Sequence, residues 1–300
     1  MATAAPLPTL RAIVPLKELG AYEALWAESG TTFRSLAQKF REFPDRLPSE
    51  FVEEYKADYF ARVVLGMLRE SGIAQFGVRV HRAGEYPNKF RDAEDPVELL
   101  YYRGFWDLVD TPSVAVVGTR EPSAQAIENT SRIVKLLVND GYTIASGLAK
   151  GIDTAAHQAA IESGGKTIAV IGTSINRVYP KENAILQEGI AQNFLVISQV
   201  PVYRYSQQDY TRNRTFFPER NKTMSALTEA TIIVEAGRTS GTLIQARAAI
   251  KQRRKLFILE SSFRNPDLTW PQEFEALGAI RVRTYEDIRK NLGPNADSNR

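Results

Sequence analysis

From Ser113 onward, short apolar runs alternate with longer amphipathic stretches, and this alternation constrains the fold more than any other feature of the chain. Apolar runs of this kind are typical of strands buried on both faces, and intervening helices let successive strands run parallel. The pattern therefore predicts an α/β fold built on a parallel sheet. The predicted strands are Val114–Val117, Thr143–Ser146, Thr167–Ile171, Leu195–Ser198, Ile232–Glu235, Leu256–Leu259 and Ile280–Val282.

Capping residues and glycines mark where helices begin and end between these strands. One helix is predicted over Ser123–Asn139, which opens on a serine cap and ends before Gly141. A second is predicted over Asp153–Ser163, with Asp153 as its cap residue. The segment Val202–Asn221 is long and unusually polar, which predicts a functional loop between the fourth and fifth strands.

The first hundred residues differ from the rest of the chain. Their apolar side chains recur at spacings of three and four, as at Tyr55, Tyr59 and Val63, which predicts a small helical region. The predicted organisation is a helical N-terminal region over residues 1–105, an α/β domain over 106–292 and a disordered tail over 293–300.

The composition excludes several classes of protein. The chain has no cysteine and only two histidines, His81 and His157, which argues against disulfides, thiolate zinc sites and cysteine nucleophiles. It contains no glycine-rich dinucleotide or NTP-binding motif, so neither a cofactor nor a metal is predicted. The opening residues lack the pattern of a signal peptide, and no apolar run is long enough to span a membrane, so a cytoplasmic protein without membrane attachment is predicted. The net charge of +3 is small, although a sequence pI near 9.0 allows a polyanionic partner if the cations cluster.

Small and basic residues follow four of the predicted strands. The carboxyl ends of parallel strands share one edge of a sheet, where loop amides and helix N-termini bind anions. Glycine lets the backbone approach a phosphate closely, and serine or threonine adds a hydroxyl donor. One such loop alone is equally typical of close packing, whereas four together favour a phosphate-binding edge. The loops are Gly118–Arg120, Ser146–Asp153, Gly172–Ser174 and Glu235–Thr242.

The stretch from Tyr203 to Lys222 interleaves five cations with five aromatic rings. Single-stranded nucleic acid is bound by this mixture, because cations neutralise phosphates while rings stack on bases. The alternative is a solvated loop with Phe216 or Phe217 anchored in the core. A second basic run, Lys251–Lys255, lies where a helix should end, and a solvated helix end is its favoured interpretation.

Three further side chains are able to act as acids, bases or hydrogen-bond acceptors. Asp153 and His157 lie four residues apart on one helix face, but capping and local packing are favoured over acid–base catalysis. Glu235 follows a buried strand and is able to bind either a sugar hydroxyl or backbone amides; both interpretations stay open at this point.

Ordered sequence blocks between residues 86 and 260 resemble the DNA-processing protein A family (DprA, also called Smf). These blocks are Tyr86-Pro87, Leu100–Gly104, Val114–Arg120, Ser146–Asp153 with Ala156-His157, Ile168–Thr173 with Tyr179-Pro180, Phe217–Asn221, and Glu235-Ala236 with Ser240–Leu243. The resemblance implies an extended Rossmann-like parallel sheet with a mixed edge and helices on both faces. It further implies a protein without catalytic activity that binds single-stranded DNA in a basic pocket at the strand ends, forms a homodimer and loads the recombinase RecA in recombination and natural transformation.

The resemblance also implies a set of nucleic-acid-binding residues. Arg120, Arg214 and Arg220 with Asn221 would hold the DNA backbone, and Phe217 would stack on a base. Lys222 stands where the family usually has arginine, so it is cationic but lacks the bidentate fork. The remaining predicted contacts, mostly through amides and hydroxyls, are Gly118, Thr119, Ser146, Gly147, Lys150, Ser240 and Gly241.

Two other functions are carried forward. The first 80 residues do not match the family's usual helical domain and no winged-helix domain follows Leu292, which suggests a regulatory or antitoxin component of a defence locus that acts through a neighbour-encoded protein. The other is a nucleotide phosphoribohydrolase. Those enzymes carry a Pro-Gly-Gly-x-Gly-Thr loop followed by Glu, whereas this chain has Gly237–Thr242 followed by Gln245, which leaves the required carboxylate without a counterpart.

Overall fold

The computed structural model describes residues 11–84 and 86–292. Nine strands of the described chain form one sheet: β1 (Gly77–Val80), β2 (Leu99–Gly104), β3 (Ser113–Val117), β4 (Thr143–Ser146), β5 (Thr167–Ile171), β6 (Leu195–Ser198), β7 (Ala230–Ile233), β8 (Lys255–Leu259) and β9 (Ile280–Val282). Their order across the sheet is β1-β2-β6-β5-β4-β3-β7-β8-β9. Strands β3 to β9 pair in parallel, whereas β1 and β2 are antiparallel to their neighbours. The prediction of a parallel sheet with a mixed edge is confirmed.

Helices cover both faces of this sheet, as predicted. They are α1 (Pro15–Ala27), α2 (Phe33–Glu42), α3 (Glu54–Glu70), α4 (Ala124–Asn139), α5 (Ile152–Glu162), α6 (Ala184–Asn193), α7 (Val202–Gln207), α8 (Tyr210–Asn213), α9 (Phe216–Leu227), α10 (Thr242–Lys251), α11 (Glu260–Phe263), α12 (Trp270–Ala276) and α13 (Tyr285–Leu292). On β3, Val114 and Val116 join the apolar core under α4, α5 and α13, while Ala115 and Val117 join the core under α9 and α10. This alternation follows from the two-residue period of a strand.

Of the two predicted helix caps, Ser123 is confirmed and Asp153 is wrong. Ser123 caps α4, because its Oγ accepts a hydrogen bond from the Ala126 amide at 3.2 Å. Asp153 does not cap α5, which is preceded by Gly151 with a φ of 79°. The loop before α5 folds back over its first turn, so Asp153 accepts hydrogen bonds from the amides of Gly147 at 3.1 Å and Ala149 at 3.4 Å.

The segment predicted as a functional loop, Val202–Asn221, is helical over most of its length. It contains α7, α8 and the first half of α9. The loop prediction is wrong because the polar residues of this segment form the exposed faces of short helices whose other faces are buried, as at Val202, Asn213 and Phe216.

Helices dominate the N-terminal hundred residues only as far as Glu70. The prediction of a helical region is wrong for β1 and β2, which extend the sheet through antiparallel pairing of β2 with β6. The burial of β1 alternates along the chain, which is strand periodicity. The predicted tail, residues 293–300, lies outside the described residues. None of the helices in the described parts is long and apolar enough to cross a membrane, and those parts contain no group of three or more acidic or histidine side chains arranged to hold a metal ion.

A buried carboxylate joins the N-terminal helices to the sheet. Glu23 of α1 is fully buried, and it accepts hydrogen bonds from the amides of Val202 at 2.6 Å and Tyr203 at 3.0 Å, at the start of α7. The Tyr101 hydroxyl of β2 also donates to it. Burial raises the pKa of Glu23 from 4.5 to about 7, against the opposing effect of these three donors.

This pKa predicts a pH-dependent stability. Because the folded state holds the Glu23 proton more tightly than the unfolded chain, the stability that this group confers is complete below about pH 4.5 and is lost as the pH rises through 7. A difference of this size between the folded and unfolded states corresponds to about 3 kcal/mol. Urea unfolding between pH 4.5 and 8 should show Glu23→Gln gaining stability relative to wild type as the pH rises. A stability difference that stays constant over this range would contradict the assignment.

Candidate functional site

The order of the strands reverses between β3 and β7. From β3 the chain runs outward through β4, β5 and β6, and it then crosses to the other side of β3 for β7, β8 and β9. Ligands of open α/β sheets bind outside the carboxyl ends of the strands at such a switch point. A cavity of about 540 Å³ lies there, between the loops that follow β3 and β7 and the first turns of α9 and α10. We call it the strand-end cavity.

Nine of the thirteen predicted nucleic-acid-binding residues line the strand-end cavity. The structure therefore brings together positions that are more than a hundred residues apart in the chain; their contact with nucleic acid stays a prediction. These residues are Gly118, Thr119, Arg120, Arg214, Phe217, Arg220, Asn221, Ser240 and Gly241.

Two arginines supply free positive charge to the cavity. Arg120 and Arg214 are exposed, and their guanidinium carbons each lie 6.0 Å from the centroid of a tyrosine ring, Tyr179 and Tyr210 respectively. No described carboxylate forms an ion pair with either guanidinium. A ring face attracts and orients a cation without neutralising it, so both arginines remain available to an anionic ligand.

Arg220 lines the cavity but supports its wall. The side chain is 5% exposed, and Nη1 donates to the carbonyls of Gly147 at 2.7 Å and Val170 at 2.5 Å, while Nε donates to Asn221 Oδ1 at 2.9 Å. Burial lowers the pKa of Arg220 to about 10, and the nearby Asp153 partly offsets this shift. Contact between Arg220 and the DNA backbone stays a prediction, and the structure shows that Nη1 and Nε are already used to join β4, β5 and α9.

The end of β4 does not present its predicted donors to the cavity. Ser146 is fully buried and its Oγ donates to the Val116 carbonyl at 2.7 Å. The Gly147 amide donates to Asp153, and a Cβ on Gly147 would lie 2.3 Å from Arg220 Nη1. The predicted phosphate contacts of Ser146 and Gly147 are therefore wrong, because the Arg220 side chain covers this strand end.

Both predicted lysines lie outside the cavity. Lys150 pairs with Glu182 at 2.6 Å, and Lys222 pairs with Glu219 at 2.9 Å and with Glu94 at 3.6 Å. Residues two positions apart on a helix point about 200° away from each other, so Lys222 cannot share the cavity with Arg220. The sequence places these cations near the site without showing their direction.

Adjacent phenylalanines at the start of α9 have opposite environments. Phe216 is 4% exposed, with its ring centroid 6.2 Å from Trp26 and 5.7 Å from Phe33, so it is the ring anchored in the core. Phe217 is half-buried and lies against Gly172, where a Cβ would come within 2.4 Å of its Cδ1. Phe217 therefore presents part of its ring to the cavity.

The sequence did not identify two tyrosines as part of the site. Tyr179 lies 5.5 Å from Phe217 between ring centroids, and its hydroxyl is 3.3 Å from that of Tyr210. Together with Phe217 they form an aromatic wall. Tyr179 belongs to one of the sequence blocks and Tyr210 to the aromatic segment, but only the fold shows that they meet.

The titratable groups near the cavity have structural partners. Ser123 donates to Glu235 through its Oγ at 2.6 Å and its amide at 3.3 Å. Of the two interpretations of Glu235, the structure therefore shows binding to a backbone amide. His157 is fully buried with Nδ1 2.7 Å from the Thr167 hydroxyl, and burial lowers the pKa of His157 to about 3. Burial also raises the pKa of Asp153. Local packing is therefore what the structure shows for Asp153 and His157, whereas the capping role predicted for Asp153 is wrong.

Comparison with known proteins supports the family resemblance that the sequence blocks indicate. The family described as DNA recombination-mediator protein A matches residues 77–293. The DNA processing protein DprA of Streptococcus pneumoniae is 41% identical over 177 residues, which cover 59% of this chain and 60% of that protein, so the match spans less than two thirds of that relative. The DprA of Bacillus subtilis is 32% identical over 230 residues, covering 76% of this chain and 74% of the relative.

Two solved structures resemble the fold. The X-ray structure of Streptococcus pneumoniae DprA has a TM-score of 0.71 and 30% identity, covering 90% of this chain and 96% of that one. A Helicobacter pylori DprA, whose structure is described as showing a single-stranded DNA binding mode, has a TM-score of 0.61 and 30% identity, covering 73% and 95%. The family match over residues 77–293 and these relatives, together with the sheet and the strand-end cavity, show that the chain belongs to the DNA recombination-mediator protein A family.

Proposed function

We propose that this protein binds single-stranded DNA in the strand-end cavity and acts, without catalysis of its own, as a recombination mediator. The observation that carries the proposal is that one cavity is lined by the half-exposed ring of Phe217 and by Arg120 and Arg214, neither of which has a carboxylate partner among the described residues. Cations for phosphates beside a ring for a base are the two elements of single-strand binding. The single-strand binding described for the Helicobacter pylori relative supports the same ligand.

Each side chain has a distinct role in this proposal. Arg120 and Arg214 neutralise successive phosphates, and Tyr179 and Tyr210 hold their guanidinium groups in place. Phe217 stacks on a base. The carboxylates of Asp153 and Glu235, which a glycosidase would need free, are engaged by amides or by Ser123.

The proposal extends to the partners that the family resemblance implies. In it, two copies of the chain form a homodimer and transfer the bound strand to RecA in the cytoplasm. Sedimentation analysis and co-purification with RecA test these two statements separately from DNA binding.

The test of DNA binding is a titration of fluorescent oligo-dT at several salt concentrations. Release of counterions from two phosphates should make the logarithm of the association constant fall with the logarithm of salt concentration with a slope of about −1.4 or steeper. A duplex of equal length serves as the comparison. Binding that is insensitive to salt would contradict the phosphate roles of both arginines.

The two phenylalanines of α9 provide a matched pair of variants. Phe217→Ala should weaken oligo-dT binding by a factor of about 10 to 100, because a base–ring stack contributes about 1–3 kcal/mol. Phe216→Ala should instead lower the free energy of unfolding by about 3–5 kcal/mol through a cavity in the core. Fluorescence titration and urea unfolding of both variants measure the two effects. Equal losses of affinity in the two variants would argue against a stacking role specific to Phe217.

A further inference from the structure

A second cavity lies on the same edge of the sheet, outside the residues that the sequence predicts to bind DNA. It has a volume of about 700 Å³ and lies beside α4 at the carboxyl ends of β8 and β9. We call it the β8–β9 cavity. The residues that matter for its chemistry are Asn129, Arg132, Glu260, Arg264, Arg283 and Tyr285.

The charge of the β8–β9 cavity is positive. Arg132 is exposed, and the side chains of Arg264 and Arg283 are 76% and 70% exposed. The carboxylate among its lining residues is Glu260, which receives two hydrogen bonds from Arg281, at 2.5 Å and 2.8 Å. Arg264 and Arg283 also lie 3.5 Å and 3.6 Å from this carboxylate, and Arg132 donates to Asn129 Oδ1 at 3.2 Å. One carboxylate shared by three arginines leaves a positive net charge, so the cavity favours an anionic occupant.

The other lining groups suit a nucleotide. Tyr285 contributes a half-buried ring whose hydroxyl donates to Asp140 Oδ2 at 2.8 Å, which holds the ring in place. Asn129 supplies an amide, and Ile133 and Leu136 supply apolar surface. Arginines for phosphates, together with a fixed ring and apolar surface for bases, form the combination that binds single strands.

The two cavities are close neighbours along the sheet edge. The strand-end cavity lies at the ends of β3 and β7 beside α9 and α10, and the second lies at the ends of β8 and β9 beside α4, which packs on the other face of the sheet. Along the edge they are about two strand spacings, or ~10 Å, apart, and the path between them also crosses from one face of the sheet to the other. The loop after β7 lies between them, where Glu235 binds Ser123 and Arg238 Nε donates to the Asp267 carbonyl at 2.6 Å. A nucleic-acid strand advances at least ~3.4 Å per nucleotide, so a few nucleotides beyond those in the strand-end cavity bridge the two cavities.

We propose that the β8–β9 cavity binds phosphates of the nucleotides that leave the strand-end cavity, so that one DNA strand contacts both cavities. This inference rests on the proposed function and extends its binding site. It predicts that the second cavity contributes only when the oligonucleotide is long enough to reach it.

The test compares two double variants that lose the same amount of positive charge. One carries Arg132→Gln and Arg264→Gln in the β8–β9 cavity. The control carries Arg253→Gln and Lys255→Gln, two exposed cations at the opposite, amino end of β8. Each protein is titrated with oligo-dT of three and of 24 nucleotides at several salt concentrations, since a three-nucleotide strand bound in the strand-end cavity is too short to reach the second cavity. Thermal unfolding verifies that each variant is folded.

The cavity variant should bind the 24-nucleotide strand about tenfold more weakly than wild type, with the salt slope reduced by about 1.4 for two lost phosphates. Its affinity for the three-nucleotide strand should stay unchanged, and so should both affinities of the control. An equal loss with both strand lengths, or an equal loss in the control, would overturn the inference, because either result indicates a diffuse charge effect.

Unchanged binding of the long strand by the cavity variant would also overturn the inference while leaving the proposed function in place. Failure of the wild-type protein to bind either strand would overturn both. These outcomes separate the second cavity from the first.

Discussion

Arg120→Glu is expected to weaken single-stranded DNA binding by about 100-fold or more at low salt. The substitution removes one phosphate contact and places a carboxylate beside the remaining phosphates, and 100-fold corresponds to about 2.7 kcal/mol. Because Arg120 is exposed and contacts mainly the ring of Tyr179, the fold should be retained. Arg214→Glu should have a similar effect through its position beside Tyr210. Fluorescence anisotropy of labelled oligo-dT at 50 mM salt measures both losses.

Lys150→Glu is the control for this result. Lys150 is an exposed cation in a neighbouring loop, but it pairs with Glu182 and does not line the strand-end cavity. Its charge reversal should change the affinity by no more than about threefold, which is the range of a screened, distant charge. If Lys150→Glu and Arg120→Glu were equally damaging, the strand-end cavity would not be the DNA-binding site.

Arg220→Met should have the largest effect on stability, with a loss of about 3–5 kcal/mol in the free energy of unfolding. The variant removes the donor of two buried carbonyls, those of Gly147 and Val170, and leaves Asp153 without its neighbouring cation. Arg220→Lys should recover only part of this loss, because an ammonium group lacks the planar fork of guanidinium. Urea unfolding at pH 7 measures both variants.

The matched control is Arg212→Met, since Arg212 is exposed on α8. Its unfolding free energy should stay within about 0.5 kcal/mol of wild type. The opposite pattern, with Arg220→Met stable but unable to bind DNA, would show that Arg220 is a ligand and not a support of the cavity wall.

Much of the fold follows from local patterns. The apolar runs that became β3 to β6 and β8 and β9 were predicted to within one residue at each end, because a strand buried on both faces requires consecutive apolar residues. The loop prediction for the polar segment after Val202 is wrong, and the sequence pattern does not indicate the alternation of burial along β1. Short helices and edge strands carry too few residues for their periodicity to stand out.

The same distinction between local patterns and long-range contacts applies to the residues of the site. Glycines and small residues after parallel strands are a local requirement, so the sequence alone indicates the loops at Gly118–Arg120 and Ser240-Gly241, which line the cavity. The direction of a side chain is different. The local sequence does not distinguish Phe216 from Phe217, yet the Phe216 ring packs on Trp26 and the Phe217 ring lines the cavity.

Residue types and short-range periodicity are sufficient to predict the α/β class, the edge of the sheet at which an anion site is expected and the cations near it. Which of these cations are already engaged by other groups depends on the tertiary contacts. Arg220 and Lys222 are bound by partners that lie far from them in the chain, Gly147 and Glu94, whereas Arg120 and Arg214 have no carboxylate partner among the described residues. The physical reason is that burial and ion pairing arise from long-range contacts, which exist only after the sheet and its helices have assembled.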